Sequence, residues 1–231
     1  MTSDFPAVLF EDNHCLVVMK PAGTLTMGDQ SGDVSMVDAA REYLRARYHK
    51  PGNVFVGVVH RLDRPVSGVL LFARTSKAAA RLSEAFRTGT VRKTYVAAVY
   101  GKPPENQGTL SSWLLKDRAT NRVRCVPEST PGAKAAVLKY RLMECGRERN
   151  LLQVEPVTGR SHQIRVQLAS VGLPIVGDER YGPQRRSRRN ASRPVRQIAL
   201  HAERLAFPHP TRSETIEVSA EAPRSELFRI M

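Results

Sequence analysis

Cysteine is scarce in this 231-residue chain, and Cys15, Cys125 and Cys145 are odd in number, far apart and without a CxxC pair. Neither a disulfide framework nor a cysteine zinc site is suggested. The histidines, His14, His49, His60, His162, His201 and His209, lack the close i, i+4 spacing of a metal pair. A P-loop and a dinucleotide glycine fingerprint are also missing, so no metal or cofactor is expected. No apolar run approaches the roughly 18 residues of a spanning helix, and there is neither an internal repeat nor a long flexible linker. The opening MTSDFPAVLFED lacks the basic start and apolar stretch of a secretory signal. The expectation is a cytoplasmic, reduced protein with no membrane partner.

Acidic residues are also in short supply, 22 against 36 lysines and arginines, giving a net charge of +14 and a pI near 10.3. Self-repulsion of that size is tolerated most easily beside a polyanion, so nucleic acid leads as partner and an acidic membrane surface follows. The basic residues are spread along the chain instead of lying on one amphipathic helix, which weakens the membrane reading. The rest is ordinary for a globular protein, with 41% hydrophobic and 25% charged residues.

Short apolar, β-branched runs punctuated by Gly and Pro predict strands at Ala7–Phe10, Leu16–Lys20, Val54–Val59, Val69–Arg74, Lys93–Tyr100, Ala135–Met143, Leu151–Val157 and Ile198–Phe207. Helical periodicity runs over Ser35–Tyr48. It recurs from Ser76, a plausible cap, to Gly89, a plausible stop. A third helix is expected from Ser161 as cap to Gly172, with Ile164, Leu168 and Val171 on one face. Strands outnumber helices without regular alternation, which predicts an α+β fold with a mostly antiparallel sheet and flanking helices. Residues 21–33 read as a loop. So do residues 183–197, where Arg185, Arg186, Arg188, Arg189, Arg193 and Arg196 concentrate inside the domain. Contact with nucleic-acid phosphates explains that block better than a purely solvated loop.

The sharpest constellation is VVHRLDRPVSGVLLFARTSKAA, Val58 to Ala79. Asp63 sits at a turn between apolar segments, held as a catalytic carboxylate must be. Arg61 and Arg64 flank it, and nearby cations favour its ionised form. On local features alone, an aspartate that merely caps the turn is the simpler reading. A second constellation, PVTGRSHQIRVQLASVGLPIVGDERYG, places Arg160, His162 and Arg165 at a helix start. Such an arrangement suits phosphate, although a surface arginine on a helix is common. Arg165 falls off the apolar stripe and is expected to reach a neighbouring strand.

With these residues quoted, the chain resembles the RluA-type pseudouridine synthases. HRLD followed by SG, and TGRSHQIRVQLA followed by GxPIxGDxxYG, are similar to the two signature segments of that family. VVMKPAG (Val17–Gly23), RKTYVAAVYG (Arg92–Gly101) and IALHAERLAFPHP (Ile198–Pro210) agree, in family order. The resemblance implies the synthase catalytic fold with a central active-site cleft and, over 1–231, a single catalytic domain without a separate N-terminal RNA-binding domain. It implies Asp63 as catalytic aspartate, Tyr95 stacking on the target base and Arg165 as the basic residue paired with the aspartate. Arg61 would enter the RNA stack and Leu200 would line the base pocket; Arg160 and His162 are expected to bind substrate from their place at the helix start. Ser161 stands where threonine is frequent and Gln167 where histidine is frequent. The implied substrate is structured RNA, ribosomal or transfer, handled by a monomer. The alternative is a non-catalytic RNA-binding or ribosome assembly factor on the same fold; the presence of Asp63, Tyr95 and Arg165 argues against it.

Overall fold

A computed structural model describes residues 5–182 and 197–230. In chain order, the first elements are β1 (Val8–Glu11), β2 (Cys15–Lys20), α1 (Met36–Arg47), β3 (Gly57–Val58), β4 (Ser67–Ala73) and α2 (Ser76–Arg87). There follow β5 (Arg92–Tyr100), β6 (Gln107–Asp117), β7 (Arg122–Val126), β8 (Lys134–Cys145) and β9 (Arg149–Pro156). The chain ends with α3 (Gln163–Ser170), β10 (Leu200–Pro208) and β11 (Thr215–Ser219). It divides into two compact units, Met1–Arg92 with Ala202–Glu221, and Lys93–His201 with Ala222–Met231.

The first unit carries the strand order β1-β2-β4-β10, with β3 pairing β4 and β11 pairing β10. The ladders β1/β2, β2/β4, β3/β4 and β10/β11 are antiparallel. On one face, Cys15, Val17, Val69, Leu71 and Ala73 pack with Ala78, Leu82 and Ala85 of α2 and with Phe207 of β10. Their neighbours Leu16, Val18, Leu70 and Phe72 are also buried. Strands buried on both sides read as unbroken apolar runs, which is why LVVMK and VLLFA stand out in the sequence. The run at Val54–Val59 pairs only over Gly57–Val58. A Cβ on Gly57 would lie 2.9 Å from the Ala79 Cβ, so the backbone packs close to α2 there.

Helix α1 starts with a capping box in which the Ser35 side chain accepts from the Asp38 N–H and the Asp38 carboxylate accepts from the Ser35 N–H. Helix α2 is capped by Thr75, not Ser76, because it is the Thr75 hydroxyl that accepts the Ala78 N–H; Gly89 ends the helix at φ +75°.

The second unit carries the antiparallel order β5-β9-β8-β6-β7. Tyr95, Val154 and Tyr140 stand in register on adjacent strands. The hairpin β6–β7 and strand β11 escaped the sequence reading. Leu114 and Val123 of the hairpin pack with Val166 of α3, while most other hairpin residues stay exposed or half-buried, leaving a thin apolar signal.

Helix α3 departs from expectation at its start. Its N-cap is His162 at φ +51°, with no side-chain cap, instead of Ser161. The side chain of Gln163 does the work a cap would do. Its Oε1 accepts from the Thr158 hydroxyl at 2.8 Å and the Arg160 N–H at 2.9 Å, and its Nε2 donates to the Val137 carbonyl at 3.0 Å. Val171, expected on the apolar face, caps the far end and is exposed.

Gly68 marks a close approach of two backbones in the first unit. It sits at φ +123°, and a Cβ there would lie 2.2 Å from the Ala202 carbonyl oxygen. Gly68→Ala combines a disfavoured backbone with a backbone clash. It should cost about 3 kcal/mol or more, read as a lower urea midpoint; a wild-type midpoint would show that β4 and β10 have room to part.

Candidate active site

In the first unit, the turn that carries Asp63 is fixed on both sides of the aspartate. His60 accepts the Leu71 N–H at its Nε2 (2.9 Å), which places the ring proton on Nδ1, and the ring stacks on Phe86 at 4.7 Å. Leu62 is buried, and its N–H and carbonyl both bond the Thr26 hydroxyl, at 3.2 and 2.9 Å. The Arg64 carbonyl accepts from the Gly23 N–H at 2.8 Å and the Lys20 Nζ at 3.3 Å. The Val66 N–H closes the turn on the Asp63 carbonyl at 3.0 Å. Asp63 is left half-buried and Arg61 exposed.

The Arg64 guanidinium donates to the Gly23 carbonyl at 3.0 Å and to Asp33 at 2.6 Å. One cation within this unit that senses Asp63 is Lys20. Its side chain is fully buried and donates to the carbonyls of Pro21 (3.0 Å), Thr24 (2.7 Å) and Arg64. Burial pulls its pKa down to about 7; the Asp63 carboxylate opposes that shift and Arg64 adds to it. The Lys-Pro pair was legible only as part of a resemblance, because burial of a lysine leaves no mark in the sequence.

In the second unit, Arg165 is buried, and its fork grips Asp178, Nε to Oδ2 at 2.7 Å and Nη2 to Oδ1 at 3.0 Å. This partner lies in the turn after α3. Asp178 can take that role because Oδ1 also accepts the Arg180 and Tyr181 N–H groups, at 3.0 and 3.3 Å, which orients the carboxylate. The Tyr181 ring lies 5.1 Å from the Arg165 guanidinium carbon, and its hydroxyl bonds His162 Nδ1 at 2.6 Å and the Val123 N–H at 3.0 Å. Asp178 and Tyr181 belong to GDERYG, a motif noted in the sequence without a role. Arg160 donates its Nε to the Ala135 carbonyl at 3.0 Å. Tyr95 is half-buried on β5 and Leu200 is buried at the start of β10. Arg185, Arg186, Arg188 and Arg189 lie outside the described residues.

Among the described residues, Asp12, Cys15 and His209 bring three metal-type donor atoms within 4.8 Å of one another. They already have other uses. His209 Nε2 bonds Asp12 Oδ2 at 2.7 Å, Arg212 reaches the same oxygen at 3.3 Å, and burial pushes the Cys15 thiol up to about 12.

Two outcomes follow. Lys20 has a folded-state pKa below its unfolded value, so the unfolded chain binds more protons between them and stability rises with pH in that interval. The window is about pH 7 to 9, before unfolded Cys15 titrates with the opposite sign. Lys20→Met should flatten a slope of up to about 1.4 kcal/mol per pH unit in urea unfolding; an unchanged slope would remove Lys20 as its source. Asp178→Ala strips the fork partner from a buried guanidinium and should cost on the order of 3 kcal/mol. A loss below 1 kcal/mol on that scale would show that Arg165 is held by other contacts.

The sequence profile of the RNA pseudouridylate synthase family matches residues 14–170. The chain is 33% identical over 213 residues to the ribosomal large subunit pseudouridine synthase C of Vibrio parahaemolyticus, covering 92% of this chain and 64% of that protein. It is 36% identical over 219 residues to an RNA pseudouridine synthase of Bacillus subtilis, covering 94% and 68%. The chain thus spans just under two thirds of the Vibrio protein's length. The solved structure of human RNA Pseudouridylate Synthase Domain Containing 4 superposes with a TM-score of 0.78 at 24% identity, covering 94% of this chain and 89% of that one. Human RNA Pseudouridylate Synthase Domain Containing 1 gives 0.73 at 26%, covering 96% and 86%. Profile, sequence relatives and fold agree: the chain belongs to the RNA pseudouridylate synthase family.

Proposed function

We propose that this protein isomerises uridines of structured RNA to pseudouridine, with Asp63 as the essential carboxylate. The observation that carries the reading is the turn at residues 60–66, where His60, Leu62 and Arg64 are each bonded to other segments while Asp63 stays half-buried between them. A carboxylate used on a sugar or a base needs that fixity, since a reacting group gains most from being held in place.

The reaction breaks the N1–C1′ bond, turns the detached base and rejoins it through C5. Bond breaking develops positive charge at the sugar, which one anionic side chain can stabilise. Hydrolytic glycosidases use two carboxylates, one to protonate the leaving group and one to activate water or attack the sugar. An isomerase has to exclude water, or the base is lost. Attack on C1′, addition to the base and removal of a ribose proton are all steps open to Asp63. Tyr95 is proposed to stack on the base, Leu200 to line its pocket and Arg165 to act as the basic residue of the reaction. The target uridine must leave its stack at a cost of a few kcal/mol, and the exposed Arg61 is proposed to fill the gap. Arg160 and His162 support substrate docking, as does the arginine block at 185–189. The names of the Vibrio and Escherichia coli relatives make large-subunit ribosomal RNA the first substrate to test.

Pseudouridine mapping in total RNA from cells with and without the gene should reveal sites that depend on it. Asp63→Asn, purified and assayed on RNA spanning such a site, should lose at least about 10³-fold in turnover, the range for removal of a central catalytic group. Its RNA affinity and unfolding midpoint should stay near wild type. Turnover within tenfold of wild type would remove Asp63 from the mechanism.

A further inference from the structure

Two cations of the second unit that lie wholly or partly out of water are not treated alike. Arg165 has a carboxylate fork; Lys93 has no ion pair and no hydrogen bond among the described residues. Lys93 is the second residue of β5 and precedes Tyr95 by two, so the two side chains share a face of the strand. It is half-buried, and burial alone pulls its pKa below the ordinary lysine range, with no carboxylate opposing the shift. A cation removed from water without a partner is costly, and natural proteins seldom keep one without a use. A Cβ built on Gly159 would lie 3.6 Å from Lys93 Nζ, so the ammonium faces the backbone of the turn at residues 158–160. That turn is rigid: the Thr158 hydroxyl, the Arg160 N–H and the Arg160 Nε each have a fixed acceptor. The Gly159 N–H has no acceptor among the described residues.

We infer that Lys93 and the Gly159 backbone form a phosphate subsite that receives a phosphodiester of the substrate RNA beside the uridine contacted by Tyr95. The inference rests on the proposed isomerase function. The missing counter-ion is then the substrate itself. An RNA strand brings one anionic phosphate per nucleotide, whereas no acidic residue among the described residues pairs with this ammonium. Residues two apart on a strand are about 7 Å apart, comparable to the reach from a base to the phosphate of its own nucleotide. A lysine meets a phosphate as a point charge and needs no fork. Binding then replaces the water that folding removed, and phosphate position fixes the register of the base at Tyr95.

The test is a salt series of Kd values on an unmodified transcript of large-subunit ribosomal RNA, for wild type, Lys93→Met, Lys93→Arg and Gly159→Ala. Lys93→Met should weaken binding about ten- to hundredfold, as expected for one charged hydrogen bond. It should also reduce the slope of log K against log salt by about 0.7, one single-stranded phosphate contact. Lys93→Arg should keep most of the slope. Gly159→Ala introduces no backbone strain and only an ordinary contact with Nζ, so it should keep its unfolding midpoint yet bind less tightly, because its methyl occupies the space in front of the ammonium. A wild-type Kd and slope for Lys93→Met would overturn the subsite. So would weaker binding at an unchanged slope, which is the mark of a structural role. Failure of the wild type to form pseudouridine in any RNA counts against the isomerase reading; an unchanged slope in an active enzyme counts against the subsite alone.

Discussion

One buried ammonium joins the segments on which Asp63 depends. Lys20 ends β2, a strand buried on both faces, and its Nζ satisfies carbonyls in the loop that follows and in the turn at residues 60–66. Buried carbonyls without donors are costly, so the loop and the turn are held to the same atom. The Thr26 hydroxyl repeats the device one turn further along the loop, on Leu62. Packing and chemistry are therefore coupled: the group that fixes the geometry around Asp63 also sets part of the field it experiences.

The second unit solves a similar problem with neutral and paired polar groups. Helix α3 is only eight residues long and buries Gln163, Arg165 and Gln167 alongside its apolar residues. Gln167 Nε2 donates to the Leu110 and Ala136 carbonyls and to the Ser112 hydroxyl, at 3.2, 3.0 and 2.9 Å. Gln163 organises the turn before the helix, and Arg165 ties the helix to the turn after it. A helix this short gains little from propensity; side-chain bonds on three sides hold it in place. An apolar stripe is thus a poor description of α3, although Ile164 and Leu168 are buried as the stripe predicts.

What the sequence made legible follows from where the signal is strong. Helix α1 announces itself through Ser35, Asp38 and the spacing of Met36, Ala40 and Leu44. Strands β2 and β4 are apolar between their polar ends, Lys20 and Ser67, because both faces are covered. The hairpin β6–β7 is exposed on much of its surface and spends few apolar residues on its core, so it looks like loop. Asp63 was visible because its turn chemistry and its family motif coincide. Lys20, Asp178 and Lys93 were not singled out, since a buried charge and an exposed one are written with the same letter. The Arg165–Asp178 pair depends on how the chain doubles back after α3, which spacing alone does not reveal.

The cluster of Asp12, Cys15 and His209 has a consequence for how the molecule responds to reagents. Only the thiolate of a cysteine is an effective nucleophile. Cys15 is inaccessible on β2 and keeps its proton up to about 12, whereas Cys145 is exposed and Cys125 half-buried. An alkylating agent therefore finds Cys145 directly, but reaches Cys15 only when the strand comes away from its neighbours. The chain carries its own clock for opening of the first unit, with modification of Cys15 marking each escape of β2 from the core.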